Sequence, residues 1–214
     1  LVMPIFYKEI ICLANSYKLQ NRCVAGKDIR DHKWIRPVSA ASTGELTISQ
    51  ISFSDGKAPQ LLDIVKIPFD VSKPLSYQPE NILISGGRWE KTGVFPRNKL
   101  SELYDKPENI WLNAKDSNDR IQVEYFEKIK AESSLLLIQP SSLKIFQDTK
   151  ARAVFEYNSI SYDLAITDPV IKSEYNKKDK GEYNINVRDV YLCISLGESF
   201  RGFCFKLVAG IIKP

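Results

Sequence analysis

The 214 residues, of which 43% are apolar and 11% aromatic, are enough for one large β domain or two small ones with buried cores. No apolar run reaches the eighteen or more residues of a transmembrane helix, and the first residues lack the pattern of a signal peptide, so we expect a cytoplasmic protein without membrane contact. The net charge of +4 is uneven, because residues 1–100 hold 14 Lys and Arg against 9 Asp and Glu. This excess favours a polyanionic partner for the first half of the chain.

The first forty residues predict a three-stranded antiparallel meander. Runs of mostly apolar residues are separated by the polar pairs Asn15-Ser16 and Asp31-His32, which are typical of turns. A small polar loop follows the meander, and a fourth strongly apolar run comes after it. Strands are predicted at residues 8–14, 22–29, 33–38 and 61–69.

Short helices are predicted in the middle of the chain, where prolines mark short connections. Residues 97–105 place three large side chains on one side of a helix, and residues 118–131 repeat an apolar side chain every four positions. Residues 172–182 are polar and charged, and they predict an exposed, mobile loop. Further strands are predicted at residues 134–139, 143–146, 151–157, 159–167, 187–196 and 202–212.

The two ends of the sequence resemble each other. Cys12 and Cys23 lie eleven positions apart, as do Cys193 and Cys204, and each pair encloses a polar turn with a serine and a basic residue. A Val-Ala-Gly sequence then closes both segments, and glycine permits a sharp bend in a barrel strand. The pattern favours one β-hairpin design used twice, with chance similarity as the alternative.

The four cysteines predict buried, reduced thiols on facing strands. Neither pair has the two-residue spacing of a zinc site, and the single histidine, His32, does not complete a Cys/His ligand set. We therefore expect no metal and no cofactor. A regulatory disulfide is the alternative interpretation.

Together these elements predict a mainly β fold with minor helix, in which two tandem OB-like units, each a Greek-key barrel, are joined by a helical connector. The predicted boundaries are residues 3–95 for the N-terminal unit, 96–131 for the connector and 132–214 for the C-terminal unit.

Several ordered motifs resemble the dual OB domain family of bacterial proteins. They lie at residues 8–16, 22–26, 34–39, 61–68 and 78–81, and residues 167–169 and 204–212 fit the second half of the family pattern. The resemblance implies two tandem OB folds that bind nucleic acid, in proteins placed among prokaryotic defences against invading DNA or RNA. It implies no set of catalytic residues.

The first candidate binding cluster combines basic and aromatic side chains on the predicted meander. OB folds that hold single strands use a basic groove with aromatic faces on which bases stack. Alternation along a strand places Trp34 and Arg36 on one face, where a ring stacks on a base and a guanidinium binds phosphate. The alternative is a buried Trp34 that Arg36 covers through a cation–π contact. The candidates are Lys18, Arg22, Lys27, Lys33, Trp34 and Arg36.

A second candidate cluster follows Gly86-Gly87, a pair that permits close approach of the backbone to a ligand. It consists of Arg88, Trp89 and Lys91. The alternative is that the glycines simply form a turn.

Catalysis has little support in the sequence. Asp163, Asp168 and Glu174 are the carboxylates nearest to a metal-dependent phosphodiesterase pattern, but Asp168-Pro169 is typical of a turn, and no phosphate loop or nucleophile elbow accompanies them. The sequence therefore predicts a non-enzymatic module that binds single-stranded nucleic acid, acting as a sensor or recruitment subunit for an effector protein in prokaryotic antiviral defence.

Two other functions stay open at the level of sequence. One is a protein-interaction scaffold with the aromatic anchors Tyr17, Tyr104 and Trp111. The other is a module that binds a nucleotide or a small signal molecule in a pocket between the two units.

Overall fold

The computed structural model describes residues 5–112 and 118–214, and it confirms a mainly β chain with minor helix. The backbone divides into two units, Leu1–Leu103 and Tyr104–Pro214, which we call unit 1 and unit 2. The predicted connector is divided between them: the 3-10 helix Arg97–Glu102 lies in unit 1, and a strand and a helix at residues 120–129 lie in unit 2.

Unit 1 is a closed five-stranded barrel with one added strand. The strand order is β1-β2-β3-β5-β4, and pairing of β4 with β1 closes the ring, while β6 pairs with a free part of β4. The pair β3–β5 is parallel and the other pairs are antiparallel, as in an OB barrel. The elements are β1 (Phe6–Lys18), β2 (Asn21–Asp28), β3 (Trp34–Val38), α1 (Ile48–Ile51), β4 (Asp63–Ser72), β5 (Asn81–Ile84) and β6 (Glu90–Val94).

Closure of the barrel depends on the length of β1, which pairs with two strands. Its first half pairs with β4 and its second half with β2, and the strand bends at an irregularity between Cys12 and Ala14. The backbones approach so closely at this bend that a Cβ on Gly26 would lie 2.2 Å from the carbonyl oxygen of Ile11. Only glycine fits here. The barrel core includes Ile10, Val24, Ile35, Val65, Phe69 and Trp89.

Unit 2 repeats the same strand order with additions. Its meander β9-β10-β11 corresponds to β1-β2-β3, β12 pairs with β9 as β4 pairs with β1, and β14 lies parallel to β11 as β5 does to β3. The strands β13, β8 and β7 extend the sheet beyond β14. The elements are β7 (Arg120–Gln122), α2 (Val123–Ile129), β8 (Leu135–Ile138), β9 (Ser142–Gln147), β10 (Ala151–Tyr157), β11 (Ile160–Ile166), α3 (Pro169–Tyr175), β12 (Gly181–Ile185), β13 (Tyr191–Phe200) and β14 (Phe203–Ile212).

The two cysteine-containing segments do form similar hairpins, β1–β2 and β13–β14. In each, the first cysteine pairs with the glycine of Val-Ala-Gly, Cys12 with Gly26 and Cys193 with Gly210, and a register shift follows at once. The hairpins occupy different places in the barrel order, however. The first supplies strands one and two of unit 1, whereas the second supplies the strand of unit 2 that corresponds to β5 and an added neighbour.

Three local predictions are wrong. The turn at Asn15-Ser16 is part of β1, and the chain reverses at residues 19–20 instead. The helix predicted from residue 118 begins at Val123, because residues 120–122 pair with β14. The loop predicted at 172–182 contains the end of α3 and the start of β12, since Asp168 is the N-cap of a helix with proline in its first turn.

All four cysteines are free thiols, and Cys12, Cys193 and Cys204 are buried while Cys23 is half-buried. In the described ranges, no helix has the length and apolar character needed to cross a membrane.

Candidate functional site

The hairpin tip of unit 1 carries a basic and aromatic surface, which we call the tip platform: Tyr17, Lys18 and Arg22. The two-residue reversal at 19–20 places Tyr17 directly opposite Arg22 in the antiparallel register, so their side chains share a face. The Arg22 guanidinium lies 4.5 Å from the centre of the Tyr17 ring. Tyr17 is 42% exposed, so a flat aromatic surface with a cation on it is open to a ligand.

The loop at residues 39–46 holds the tip platform in place. Arg22 and Leu46 exchange two backbone hydrogen bonds of 2.8 Å, and the Lys18 ammonium donates to the carbonyl oxygen of Thr43. The same loop brings one acid close by. The hydroxyl of Thr43 donates to the Glu45 carboxylate, and this bond, with a smaller contribution from the charge of Lys18, lowers the pKa of Glu45.

Arg36 is a structural residue in this fold. Its side chain is 2% exposed, its Nε lies 2.9 Å from Oε1 of Glu80, and one terminal nitrogen lies 3.3 Å from the sulfur of Cys23. Burial alone would lower the pKa of Arg36, but Cys23 and Glu80 raise it above its usual value. The guanidinium is therefore part of the interior of unit 1.

Lys27, Lys33 and Trp34 lie at the far end of β2 and β3 from the tip platform. Lys27 is buried, donates to the carbonyl oxygen of Leu103 at 2.6 Å, and lies 5.1 Å from the centre of the Trp34 ring. Lys33 is exposed and Trp34 half-buried. Five residues of strand separate Arg22 from Lys27, roughly 17 Å. The five candidates other than Arg36 thus form two separate groups rather than one groove.

The second candidate cluster also separates into different environments. Trp89 is 1% exposed and belongs to the barrel core, and the Lys91 ammonium forms an ion pair with Asp63 at 2.6 Å. Arg88 alone is exposed without a hydrogen-bond or ion-pair partner in the described part of the chain. It lines two neighbouring clefts, of about 370 and 570 Å³.

In unit 2, two half-buried arginines have acidic neighbours. Arg152 bonds to Asp163 at 2.6 Å across β10 and β11. Arg120 lies 5.0 Å from the ring centre of Phe205 and also contacts Asp119 at 3.0 Å. Unit 2 contains 16 basic and 16 acidic residues, whereas unit 1 contains 14 basic and 10 acidic residues. Unit 1 therefore carries the positive charge of the chain.

A family model described as the dual OB-containing domain matches residues 8–211. The chain belongs to this family. A search of curated proteins found no match. The strand orders of units 1 and 2 agree with the two OB folds of the dual OB domain, a fold class that binds oligonucleotides and oligosaccharides.

OB folds commonly bind ligands on the outer face of strands two and three, with the loop between strands one and two alongside. In the first OB fold of this dual OB protein, that face holds the buried Lys27 and Arg36. In the second it holds the paired Arg152 and Asp163. The loop between strands one and two of unit 1 is flanked by the tip platform, which offers an exposed ring beside half-buried cations.

The three carboxylates considered for a catalytic site have structural partners. Asp163 pairs with Arg152, and Glu174 pairs with Lys213 at 2.9 Å and with Lys178 at 3.3 Å. Asp168 accepts hydrogen bonds from the backbone N–H groups of residues 170, 171 and 211. Burial raises the pKa of Asp168, while these N–H groups and the charge of Lys213 oppose the rise.

The three suggested aromatic anchors differ in exposure. Trp111 is buried with its ring 6.1 Å from that of Phe126, and Tyr104 is half-buried with its ring 6.0 Å from that of Tyr191. Tyr17 is 42% exposed. The pairing of Tyr17 with Arg22 was not predicted from the sequence, because the predicted turn lay at Asn15-Ser16 and not after Lys18.

Proposed function

We propose that this dual OB protein is a non-enzymatic module that binds single-stranded nucleic acid, and that the tip platform of unit 1 makes the main contacts. The observation that carries the proposal is the Arg22 guanidinium stacked on the exposed ring of Tyr17 at a hairpin tip. A base stacks on such a surface whatever its identity, and the two cations contact phosphate.

Single strands suit this surface better than duplexes, because an exposed ring contributes only when bases are free to stack on it. Each stacked base contributes roughly 1 to 3 kcal/mol in proteins of this kind. The positive balance of unit 1 adds a sequence-independent attraction that weakens as salt rises. The proposal therefore requires affinity that is tolerant of sequence and sensitive to salt.

The test uses the full chain and mixed-sequence single-stranded DNA and RNA, with binding measured by fluorescence anisotropy at several salt concentrations. Tyr17→Ala should weaken binding by about 5-fold to 150-fold, which corresponds to the loss of one stacked base. Arg22→Ala should flatten the salt dependence by about 0.7 in the logarithmic slope, the value for one phosphate contact on a single strand.

The matched control is Arg201→Ala, because Arg201 occupies the tip of the corresponding hairpin in unit 2, 5.2 Å from the ring centre of Phe200. It removes the same charge from a similar position. Equal losses in Arg22→Ala and Arg201→Ala would contradict a main role for unit 1, and an unchanged affinity in Tyr17→Ala would contradict the platform.

We propose further that binding serves a sensor or recruitment role beside an effector protein in prokaryotic defence. The family resemblance supports this role. If it is correct, the gene beside this one should encode a nuclease or helicase, and its product should co-elute with the chain more strongly when a single-stranded oligonucleotide is present. Co-elution that oligonucleotide does not change would contradict recruitment.

A further inference from the structure

The exposed Arg88 lies where two clefts of unit 1 meet. The first, which we call the serine cleft, lies between α1 and the segment that links β5 to β6, and has a volume of about 370 Å³. The second, which we call the tryptophan cleft, lies between residues 53–55 and the start of β6, and has a volume of about 570 Å³. Arg88 contributes to the lining of both. Each volume is in the range of sites for small organic ligands.

The segment that presents Arg88 is fixed on both sides. Before it, the Ser85 N–H donates to the carbonyl oxygen of Pro68 at 3.0 Å, and a Cβ on Gly87 would lie only 2.8 Å from Pro68 Cγ. After it, Trp89 is anchored in the barrel core. The backbone of Arg88 is thus held by the residues on either side of it. Little backbone entropy is therefore lost when a ligand binds.

The lining of the serine cleft has the chemistry of an anion site. Its polar groups are hydroxyls, one amide and a guanidinium, and none of the described residues that line it is acidic. Gly86 leaves backbone atoms open, since a Cβ there would meet nothing within 4 Å. Guanidinium, hydroxyl and backbone N–H groups together are the usual ligands of phosphate. The polar side chains are Ser49, Gln50, Ser52, Ser85 and Arg88.

The tryptophan cleft is lined by two aromatic residues and by acids instead. Phe53 and Trp89, the latter 1% exposed, line it together with the carboxylates of Asp55 and Glu90. Lys91 also lines it, and its ammonium pairs with Asp63 at 2.6 Å. Acids repel phosphate but accept hydrogen bonds from the amino groups of a base or the hydroxyls of a sugar. The contrast between the two clefts gives a ligand one orientation, with its phosphate on the serine side of Arg88.

Two buried polar atoms next to these clefts have no hydrogen-bond partner among the described residues. They are the hydroxyl of Ser85, a residue that lines the serine cleft, and the indole nitrogen of Trp89, a residue that lines the tryptophan cleft. Buried polar groups in folded proteins are almost always paired, so both atoms require an explanation. A polar ligand in the clefts supplies one.

We propose that unit 1 binds one phosphorylated nucleotide at this place, with the phosphate against Arg88 in the serine cleft and the base in the tryptophan cleft. This deepens the proposed function but uses residues outside the tip platform. The nucleotide has two sources with the same chemistry: a free nucleoside monophosphate, or the phosphorylated end of a bound strand.

The test uses isothermal titration calorimetry on the full chain. The probes are the four nucleoside 5′-monophosphates, the matching nucleosides, and one oligonucleotide with and without a 5′-phosphate. We expect a monophosphate or the 5′-phosphate strand to bind at least tenfold more tightly than its unphosphorylated counterpart. Arg88→Ala should abolish that preference, and Arg88→Lys should retain part of it, because lysine keeps the charge but not the planar fork.

Arg97→Ala is the matched control, since it removes the same charge from an exposed position of unit 1 outside both clefts. It should leave the preference for phosphate unchanged. Gly86→Leu should block binding without unfolding the chain, because its Cβ enters open space. Melting curves verify that each variant is folded.

The two sources give different results. Binding of free monophosphates that Arg88→Ala weakens identifies a free nucleotide, whereas a 5′-phosphate effect on oligonucleotides alone identifies a strand end. Equal binding with and without phosphate, or equal losses in Arg88→Ala and Arg97→Ala, would overturn the proposal. Tyr17→Ala should weaken oligonucleotides without the 5′-phosphate and leave monophosphate binding intact, so failure of the tip platform and failure of this site are distinguishable.

Discussion

Breaking the buried ion pair between Arg36 and Glu80 should strongly destabilise unit 1. Both side chains are 2% exposed, their Nε and Oε1 atoms are 2.9 Å apart, and the backbone N–H of Arg36 also donates to the carbonyl oxygen of Glu80 at 3.1 Å. The pair lies where β3 meets β5, the parallel junction of the barrel. Replacing one member leaves the other charge buried without its oppositely charged partner, which costs about 3 to 5 kcal/mol.

The variants are Arg36→Met, Glu80→Gln and the double variant Arg36→Met/Glu80→Leu. Each kilocalorie per mole shifts the melting temperature of a domain of about 100 residues by roughly 4 °C or more, so we expect each single variant to melt at least about 12 °C lower. The double variant should recover most of the loss, because apolar side chains of similar volume replace a buried pair at little cost.

Urea unfolding of the four proteins gives the coupling energy between the two side chains. Single variants that each cost less than about 1 kcal/mol, with a double variant equal to their sum, would refute the assignment of a buried, coupled pair. Folded Arg36→Met should also bind single strands with an unchanged salt slope, because a buried guanidinium releases no counterions.

Three further predictions follow from the packing and titration of individual residues. Gly26→Ala should destabilise unit 1 by about 3 kcal/mol or more, because its Cβ would lie 2.2 Å from a backbone oxygen, whereas Gly86→Ala, with open space at its Cβ, should be neutral in the same urea titration. Burial raises the pKa of Asp28, but hydrogen bonds from Lys8 and the Arg30 N–H outweigh it and hold that pKa below its usual value. The contribution of Asp28 to stability is therefore present above the unfolded-state pKa and is lost as pH falls through the lower folded pKa. Asp28→Asn should reduce the pH dependence of the free energy of unfolding below about pH 4. Thiol titration should detect at most Cys23 in the native protein and all four cysteines after unfolding, since the other three are buried.

The strands that sequence predicted well have apolar runs or a regular alternation of buried and more exposed residues. The meander of unit 1 and β8 contain apolar runs, and β9 to β11 alternate; all of them lie close to their predicted positions. The strands β5 and β6 escaped prediction, because β5 has four residues and β6 is a mostly exposed strand of Glu-Lys-Thr-Gly-Val. Their pairing depends on the free edge of β4, which no local pattern describes.

The start of helix α3 shows that the same local sequence is compatible with two structures. An Asp-Pro pair is typical both of a turn and of a helix start, since aspartate caps the N-terminus and proline fits the first turn. The choice depends on a distant contact. The second carboxylate oxygen of Asp168 accepts a hydrogen bond from the N–H of Ile211, which ties the start of the helix to β14.

The candidate site was predictable only in part for a similar reason. Strand alternation places Arg36 and Lys27 on the faces of their strands opposite the core residues Ile35 and Val24. Whether an outward side chain is exposed depends on what covers it, and Glu80 and Leu103 come from segments 44 and 76 residues away. The positions of the tip platform residues are set instead by the local geometry of the turn at residues 19–20.

Comparison of the hairpins β1–β2 and β13–β14 distinguishes the effect of shape on ligand binding from the effect of charge. Each places an arginine beside an aromatic ring at its tip, with Arg22 on Tyr17 in unit 1 and Arg201 on the 60% exposed Phe200 in unit 2. Shape alone would therefore give both units a stacking surface. Phosphate attraction follows the summed charge around a surface, and only unit 1 has a positive balance. If the long-range field decides which hairpin binds, raising the salt concentration should narrow the difference between Arg22→Ala and Arg201→Ala, because screening removes the field but not the stacking.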